Sequence, residues 1–285
     1  MMSVEILSIG SGMSLQDAGR FGWLRYGVPP GGVMDSQAMK AANKLLGNRR
    51  DAPVLEIRLQ GAVLKVLEEI WLALAGAPSC RGFPSWTARL VNAGEVLEFS
   101  KKASAVFAYI AVPGGFAAER NFGSVSVDPR IGLGAPLRKG DFLIAATKKP
   151  NVDITGIARR ILNPAMQRNY TTEPQFSLLP GPQFDNFSEE AREQLVASKW
   201  VVSPQCDRTG YRLEGPRLEV PHSIPSEPVL PGSFQVPSNG LPIVTMVDGP
   251  TVGGYPKIAV LPEVEQERLA QCTLGTQLSF KWSKY

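Results

Sequence analysis

Short apolar or alternating segments, bounded by Gly or Pro, recur along most of this 285-residue chain. Segments of this kind, rich in β-branched and aromatic residues, are typical of strands with at least one buried face. The clearest are Val54–Leu59, Val63–Val66, Glu95–Phe99, Val106–Ile110, Ile243–Val247 and Gln277–Phe280. The pattern predicts a mainly β chain.

Two segments have helical spacing instead. In Met34–Gly47, apolar residues recur every three to four positions, Asp35 or Ser36 can cap the N-terminus, and the final glycine can close the helix. In Phe187–Val196, Ser188 is a suitable N-cap, and the two glutamates after it suit the positive end of the helix dipole. The sequence therefore predicts a few short helices, of which these two are identifiable.

Composition and charge narrow the class of protein. The 28 Gly and 24 Pro favour many turns over a helical bundle. The net charge is +4, but the basic residues form scattered pairs without interleaved aromatics, which argues against a nucleic-acid partner. No apolar run could span a bilayer, and the N-terminal residues include Glu5 but no basic region. We therefore expect neither a membrane segment nor a signal peptide.

Several kinds of site chemistry are disfavoured. Cys80, Cys206 and Cys272 are widely separated, which indicates neither a disulfide framework nor a metal site and favours the cytoplasm. His222 is the single histidine, so a Ser-His-Asp or multi-histidine metal site is not expected. No phosphate-binding loop of the G-x-x-x-x-G-K-S/T type occurs. Ala38-Met39-Lys40 lies in a predicted helix and lacks the second Met of a biotin-attachment motif, so no biotin attachment is expected.

A boundary between two domains is predicted where periodicity weakens, between residues 147 and 174. We place it so that residues 1–165 form one β domain and residues 166–285 a second. Two short motifs recur in the same order in both halves, beginning at Asp17 and Arg58 and again at Asp207 and Arg212. Duplication of one domain and chance similarity both remain open.

Four Gly-rich polar segments hold the candidate binding residues. Guanidinium groups can grip a carboxylate or phosphate with two hydrogen bonds, and amide side chains offer both a donor and an acceptor to an amide or ureido group. Glycine lets the backbone approach a ligand closely. The candidate substrate-binding residues are Gln16, Arg20, Arg208, Tyr211, Arg212, Gln235, Asn239, Tyr255 and Lys257.

The candidate acid and base groups are three aspartates in the same segments, Asp17, Asp35 and Asp207. A carboxylate can transfer a proton or orient a neighbouring arginine. Ordinary turns that link strands also use Asp, Arg and Gly, so a purely structural role is the alternative for each residue.

In this order, the polar segments resemble those of the KipA family, which includes the C subunit of bacterial 5-oxoprolinase and part of the carboxyltransferase domain of urea carboxylase. The motifs that carry the resemblance are QDAGRFGWLRYGVPPGGVMD (16–35), AANKLLGN (41–48), AYIAVPGGF (108–116), LPGPQFDNFSEEA (179–191), DRTGYRLEGP (207–216), GSFQVPSNGLPI (232–243) and TVGGYPKIAV (251–260). They span nearly the whole chain.

The resemblance implies a fold, a reaction and partners. The fold would be two β-barrel-like domains similar to cyclophilin. The reaction would be the ATP-dependent opening of 5-oxo-L-proline to L-glutamate, catalysed by a hydrolase that is active only as a complex. The partners would be a KipI-like protein, which is the B subunit of that enzyme, and a LamB/YcsF-like protein, which is its A subunit. ATP would be used by the complex and not necessarily bound by this chain.

Two departures from the family pattern keep alternatives open. Asp248–Tyr255 lacks the arginine and glutamine that the family carries there, and Val125 stands where the family tends to have arginine. One alternative is a carboxyltransferase component of a urea carboxylase or allophanate-type system. The other is a KipA-like regulatory protein that binds and antagonises a KipI-like kinase inhibitor.

Overall fold

The computed structural model describes residues 2–58, 61–77, 80–99, 104–154, 158–170 and 174–283. These residues divide between two compact units, one of Met1–Arg20 with Gly31–Tyr170 and one of Phe21–Pro30 with Thr171–Tyr285. The predicted boundary after residue 165 lies five residues before the end of the first unit. The assignment of residues 21–30 to the second unit has no counterpart in the sequence prediction.

The first unit contains one helix and ten strands among its described residues. The helix is α1 (Ser36–Leu46). The strands are β1 (Val4–Ile9), β2 (Met13–Gln16), β3 (Val54–Arg58), β4 (Ala62–Val66), β5 (Ile70–Gly76), β6 (Thr87–Val91), β7 (Val96–Glu98), β8 (Phe107–Ala111), β9 (Phe142–Leu143) and β10 (Arg159–Ile161).

Hydrogen bonding arranges these strands into two sheets. One has the order β7-β4-β1-β9 and the other β10-β6-β5-β8-β3-β2, with every recorded pair antiparallel. Strands β5 and β8 are buried along their whole length, because α1 packs on them and the unit's apolar core lies beside them. Among the described residues of this unit, the strands thus form two sheets, whereas the family resemblance implied a barrel-like domain.

Local sequence explains why α1 begins and ends where it does. The Asp35 side chain accepts a hydrogen bond from the backbone N–H of Ala38 at 3.0 Å, which satisfies one of the free donors of the first turn. Gly47 closes the helix with φ 69°, a left-handed conformation that favours glycine. The predicted helix over 34–47 is confirmed.

The second unit contains nine strands and two helices among its described residues. The helices are α2 (Glu189–Ala197) and α3 (Glu263–Ala270). The strands are β11 (Gln175–Pro180), β12 (Trp200–Val202), β13 (Gly210–Glu214), β14 (Glu227–Pro228), β15 (Ser233–Gln235), β16 (Ile243–Thr245), β17 (Val252–Gly253), β18 (Lys257–Val260) and β19 (Gln277–Trp282).

Seven of these strands close into a barrel in the order β11-β18-β15-β16-β13-β12-β19, and β14 and β17 form a separate two-stranded sheet. The barrel core is aromatic: Phe234 and Phe280 meet edge to face with ring centroids 5.0 Å apart, and Phe176 lies 6.0 Å from Phe280. Buried Trp200 donates its indole N–H to the carbonyl of Leu195 at 2.9 Å, which joins α2 to the barrel.

The prediction of a mainly β chain with a few short helices is confirmed. Helix α2 begins after the Ser188 cap as predicted, whereas α3 is an addition that the sequence analysis did not identify. Of the two recurring motifs, the one that begins at Arg58 includes Leu59 and Gln60, which lie outside the described residues. Among the described helices, none is long and apolar enough to cross a membrane.

Candidate functional site

A cavity of about 670 Å³ lies on the barrel of the second unit. Its walls come from segments 204–212, 243–245 and 250–255, together with one residue of β15. Four of the predicted site residues line it: Asp207, Arg212, Gln235 and Tyr255. The volume is in the usual range for small-molecule sites.

Strand register explains why these polar groups converge. In the pairing of β13 with β16, Gly210 lies opposite Thr245 and Arg212 opposite Ile243, while Gln235 of β15 also lies opposite Ile243. Residues two apart on a strand share a face, and directly paired residues on neighbouring strands lie side by side. All five residues therefore line the cavity from one face of three adjacent strands.

The Gln235 side chain is the buried polar centre of this face. It is 6% exposed, and its amide Nε2 donates a hydrogen bond to Thr245 Oγ1 at 2.8 Å. A Cβ atom added to Gly253 would lie only 2.9 Å from Gln235 Oε1, so the backbone at that glycine approaches the amide oxygen closely. Thr245 is not among the residues predicted from the sequence, although its spacing of two from Ile243 places both on the same strand face.

Charged groups at the mouth of the cavity have different roles. The Arg212 side chain is exposed, and so is Asp207, whose Oδ1 accepts hydrogen bonds from the N–H groups of Thr209 (2.7 Å) and Gly210 (3.2 Å). Asp207 thus stabilises the turn that leads into β13. Arg212 is the exposed cationic side chain among the described lining residues.

Arg208 is committed to another contact. Its Nε and one terminal nitrogen reach the two oxygens of Asp248 at 2.7 and 3.0 Å, and the Asp248 side chain is only 5% exposed. Such a two-point pair with a buried carboxylate holds the loop after β16 against the loop before β13. This contact is structural and differs from the predicted grip on substrate.

Three other predicted binding residues of this unit do not line the cavity. Tyr211 is buried, and its hydroxyl donates to the carbonyl of Ala270 at 2.8 Å. Asn239 is exposed and accepts from the N–H of Leu241 at 3.0 Å, as a turn residue does. Lys257 is 2% exposed and forms an ion pair elsewhere, with Glu227. The hydroxyl of Tyr211 thus anchors the end of α3, and the binding roles of these three residues stay predictions.

In the first unit, the Asp17 carboxylate is buried and surrounded by donors. It accepts hydrogen bonds from the N–H groups of Gly19 (2.9 Å) and Val125 (3.0 Å) and from the hydroxyls of Ser124 and Ser126. A carboxylate with this many internal partners stabilises a folded loop. These contacts describe a structural clamp, and the catalytic role of Asp17 stays a prediction.

The neighbours of Asp17 in the sequence are also buried. Gln16 is fully buried and donates from its amide to Ser14 Oγ (2.9 Å) and to the carbonyl of Val127 (3.1 Å). Arg20 is 2% exposed, and its guanidinium donates to the carbonyl of Ser126. Both side chains are closed off from solvent in this arrangement, and their role in binding substrate stays a prediction.

Asp35 caps α1 and is fully buried. Besides the cap, its carboxylate accepts a hydrogen bond from the hydroxyl of Tyr170 at 2.9 Å and lies 3.3 Å from the Arg168 guanidinium. Its backbone N–H donates to the hydroxyl of Tyr109, a phenol whose pKa burial raises well above the usual value. The environment of Asp35 ties three chain segments together, and this carboxylate lies outside the lining of the barrel cavity, so its catalytic role stays a prediction.

The first unit has its own smaller cavity, of about 420 Å³, beside the end of α1. Its charged lining residues are Arg49, Asp51, Arg120 and Lys149. Arg49 forms a two-point pair with Asp51 and lowers the pKa of that carboxyl. Since none of the predicted site residues lines this cavity, the barrel cavity is the better candidate.

Comparison with known proteins defines the class. The model of the carboxyltransferase domain, subdomains A and B, matches residues 26–282, and the chain belongs to this family. It is 33% identical to the C subunit of 5-oxoprolinase from Escherichia coli (strain K12), over 97% of this chain and 90% of that protein. The corresponding protein of Haemophilus influenzae is 31% identical over 98% of this chain. The chain is therefore a homologue of the 5-oxoprolinase C subunit, a protein named as one part of a multi-subunit enzyme.

More distant relatives are parts of longer proteins. Urea amidolyase of Saccharomyces cerevisiae is 29% identical over 98% of this chain, which spans only 16% of that protein. The crystal structure of Kluyveromyces lactis urea carboxylase matches all of this chain with a TM-score of 0.89 and 27% identity, over 28% of its own length. The fold of the two units is thus that of a carboxyltransferase domain.

Proposed function

We propose that this chain is the C subunit of an ATP-dependent 5-oxoprolinase, a cytoplasmic hydrolase complex that opens the lactam ring of 5-oxo-L-proline to give L-glutamate. The observation that carries the proposal is the match to the Escherichia coli protein over 97% of this chain and 90% of that relative. The urea enzymes, by contrast, contain this region as a small part of a much longer chain.

The barrel cavity suits the proposed substrate. 5-Oxo-L-proline carries one carboxylate and one lactam, and the cavity offers a guanidinium from Arg212 and the amide of Gln235 on the same sheet face. Arg212 would bind the carboxylate through charge-assisted hydrogen bonds. Gln235, oriented by Thr245, would hydrogen-bond the lactam, and Tyr255 would cover its apolar ring edge.

ATP belongs to the complex in this proposal. An unstrained lactam is a poor electrophile, and transfer of the γ-phosphoryl group of ATP to its oxygen would activate the ring carbon. Water would then add to that carbon, the C–N bond would break with the nitrogen protonated, and hydrolysis of the resulting acyl phosphate would release glutamate and phosphate. The sequence of this chain contains no phosphate-binding loop of the G-x-x-x-x-G-K-S/T type, so it offers no nucleotide site of that kind. The contribution assigned to this chain is to bind and orient the lactam.

The partners follow from the same proposal. The chain would act with the A and B subunits of the enzyme, here a LamB/YcsF-like and a KipI-like protein. In the cavity lining the Cys206 thiol is buried and donates to the carbonyl of Arg212 at 3.4 Å, and the Asp207 carboxylate accepts from the N–H groups of its own turn. We therefore assign the groups that transfer protons and activate water to a partner subunit.

Reconstitution tests the proposed function. The chain is mixed with its LamB/YcsF-like and KipI-like partners, and ATP-dependent formation of glutamate from 5-oxoproline is measured, with each component omitted in turn. We expect turnover only when all three proteins and ATP are present. An assembled complex with no turnover of 5-oxoproline would contradict the proposal.

A carboxyltransferase activity is the second candidate, favoured by the family match and by the likeness to urea carboxylase. It predicts transfer of a carboxyl group from a carboxybiotinyl carrier to urea or a related amide. The same assembled complex can be supplied with carboxylated biotin carrier and urea. Transfer in this assay without 5-oxoproline turnover would favour the second candidate. Assembly with neither activity would favour a KipA-like regulatory binder.

A further inference from the structure

The small sheet of β14 (Glu227–Pro228) and β17 (Val252–Gly253) forms one wall of the barrel cavity, and we call it the pocket wall. Val252 and Gly253 line the cavity, and the two strands pair antiparallel with Glu227 opposite Gly253. This sheet is not part of the closed ring of barrel strands. Its position must therefore be fixed by contacts other than the barrel's own ladder of hydrogen bonds.

The position of the pocket wall sets the space around Gln235. A Cβ atom on Gly253 would lie 2.9 Å from Gln235 Oε1 on one side and 3.2 Å from the Val229 side chain on the other. The wall thus packs against the amide with no room for a methyl group. A shift of the wall by about one ångström would change the distance and angle at which a ligand contacts Gln235. Misplacement of this size can weaken binding or catalysis severely.

A polar link joins this wall to the barrel. The ammonium of Lys257, on barrel strand β18, forms an ion pair with Glu227 Oε1 on β14. Gln183 donates to the same oxygen at 2.9 Å, and its own Oε1 accepts from the N–H of Lys257 at 3.1 Å. The three side chains form one closed network, which lies outside the cavity lining.

The two charged partners of this network differ in how far they are buried. The Lys257 side chain is only 3% exposed, so its ammonium needs a partner, whereas Glu227 is 37% exposed. The hydrogen bond from Lys257, with a smaller one from Gln183, lowers the pKa of the Glu227 carboxyl below its usual value. The Glu227 carboxyl is therefore ionised at neutral pH. Its contacts with Lys257 and Gln183 tie the pocket wall to the barrel.

We propose that Lys257 and Gln183 are positioning residues, which hold the pocket wall through Glu227 and thereby fix the width of the cavity at Gln235. This assigns Lys257 a different role from the substrate contact predicted from the sequence. The inference rests on the proposed function only for the identity of the ligand, because the network itself consists of contacts within the second unit.

Hydrogen exchange and kinetics on the assembled complex test the proposal together. Lys257→Met keeps the apolar stem and removes the charge, Lys257→Arg restores the charge, and Lys281→Met, at an exposed lysine of β19, is the matched control. We expect Lys257→Met to speed exchange in residues 251–255 about tenfold and to raise the KM for 5-oxoproline about tenfold, with a smaller change in kcat. Lys257→Arg should recover most of both effects, and Lys281→Met should resemble the wild type.

Two results would overturn the proposal. One is unchanged exchange and KM in Lys257→Met, which would show that the wall needs no such link. The other is a loss of kcat with unchanged exchange, which would make Lys257 a direct substrate contact. If Lys257→Met does not fold, Glu227→Gln and Gln183→Leu decide by the same two readouts. If the complex has no 5-oxoprolinase activity, the proposed function fails, while exchange in the separate chain still tests the link.

Discussion

The loops that begin at Asp17 and at Asp207 share a run of Asp, Gly and Arg in the sequence, but they differ in structure. Asp17 follows strand β2, is buried, and directs its carboxylate to two N–H groups and two hydroxyls. Asp207 precedes strand β13, is exposed, and accepts only from the two N–H groups of its own turn. One loop is a sealed clamp and the other is the rim of a cavity.

The difference shows that burial, and not residue type, decides what a polar motif can do. A buried carboxylate must be satisfied by the protein itself, so its hydrogen-bonding capacity is used within the fold. Polar groups on an exposed rim keep part of their hydrogen-bonding capacity free for a ligand. Of the four predicted site residues of the barrel cavity, Asp207, Arg212 and Tyr255 are exposed, and the buried Gln235 lies on the strand face beside them.

The largest expected effect separates the two aspartates. Asp17→Ala leaves several buried donors without an acceptor and should lower the free energy of unfolding by about 3–5 kcal/mol, whereas Asp207→Ala should cost about 1 kcal/mol, as a turn residue does. Denaturant unfolding of both variants measures this. Equal losses would break the comparison between a sealed loop and a rim loop.

The next effect separates two arginines near one cavity. Arg212→Ala should lower kcat/KM of the reconstituted complex about 10- to 100-fold, because a charge-assisted contact with the substrate carboxylate is lost, while stability changes little. Arg208→Ala should instead destabilise the unit by about 3 kcal/mol, because it leaves Asp248 buried without its guanidinium. The roles are reversed if Arg208→Ala is stable but inactive.

A smaller effect is expected at the closest approach in the cavity. Gly253→Ala adds a methyl group 2.9 Å from Gln235 Oε1, so the amide or the wall must shift by a few tenths of an ångström. We expect a three- to tenfold rise in KM, corresponding to about 1 kcal/mol, with little loss of stability. Gly275→Ala, where the added methyl meets nothing within 4 Å but φ is 78°, provides a contrast in which stability falls and KM does not change.

The smallest effect concerns thiols buried in each unit. Burial raises the pKa of Cys80 to about 11 and that of Cys272 to about 12. The folded chain therefore keeps these thiols protonated while the unfolded chain ionises them, so stability is full below the ordinary thiol pKa and falls as the pH rises toward 12. Between pH 7.5 and pH 10, the free energy of unfolding should fall by about 1 kcal/mol less in Cys272→Ala than in the wild type. Denaturant unfolding at the two pH values measures this. An identical loss in both would contradict this.

The sequence predicts the parts of this molecule that depend on local chemistry. Asp35 and Ser188 cap their helices as expected, because the capping hydrogen bond is local. Helix α3 was missed because its apolar residues form only a weak stripe, although Pro262 and Glu263 offer a start signal. Gln235 could be identified as a candidate from its residue type, but its partner Thr245 depends on strand register, which one sequence does not supply.

Residues 21–30 belong to the second compact unit although they lie within the first in chain order. During synthesis this segment leaves the ribosome about 140 residues before the rest of its unit, since synthesis adds roughly 5–20 residues per second. At that rate, about 7 to 28 seconds pass before synthesis of the rest of its unit begins. The same interleaving means that a single cut after residue 170 leaves residues 21–30 attached to the first unit, so recombination at one point would divide the second unit. The longer urea enzymes, which match this chain across both units, fit that constraint.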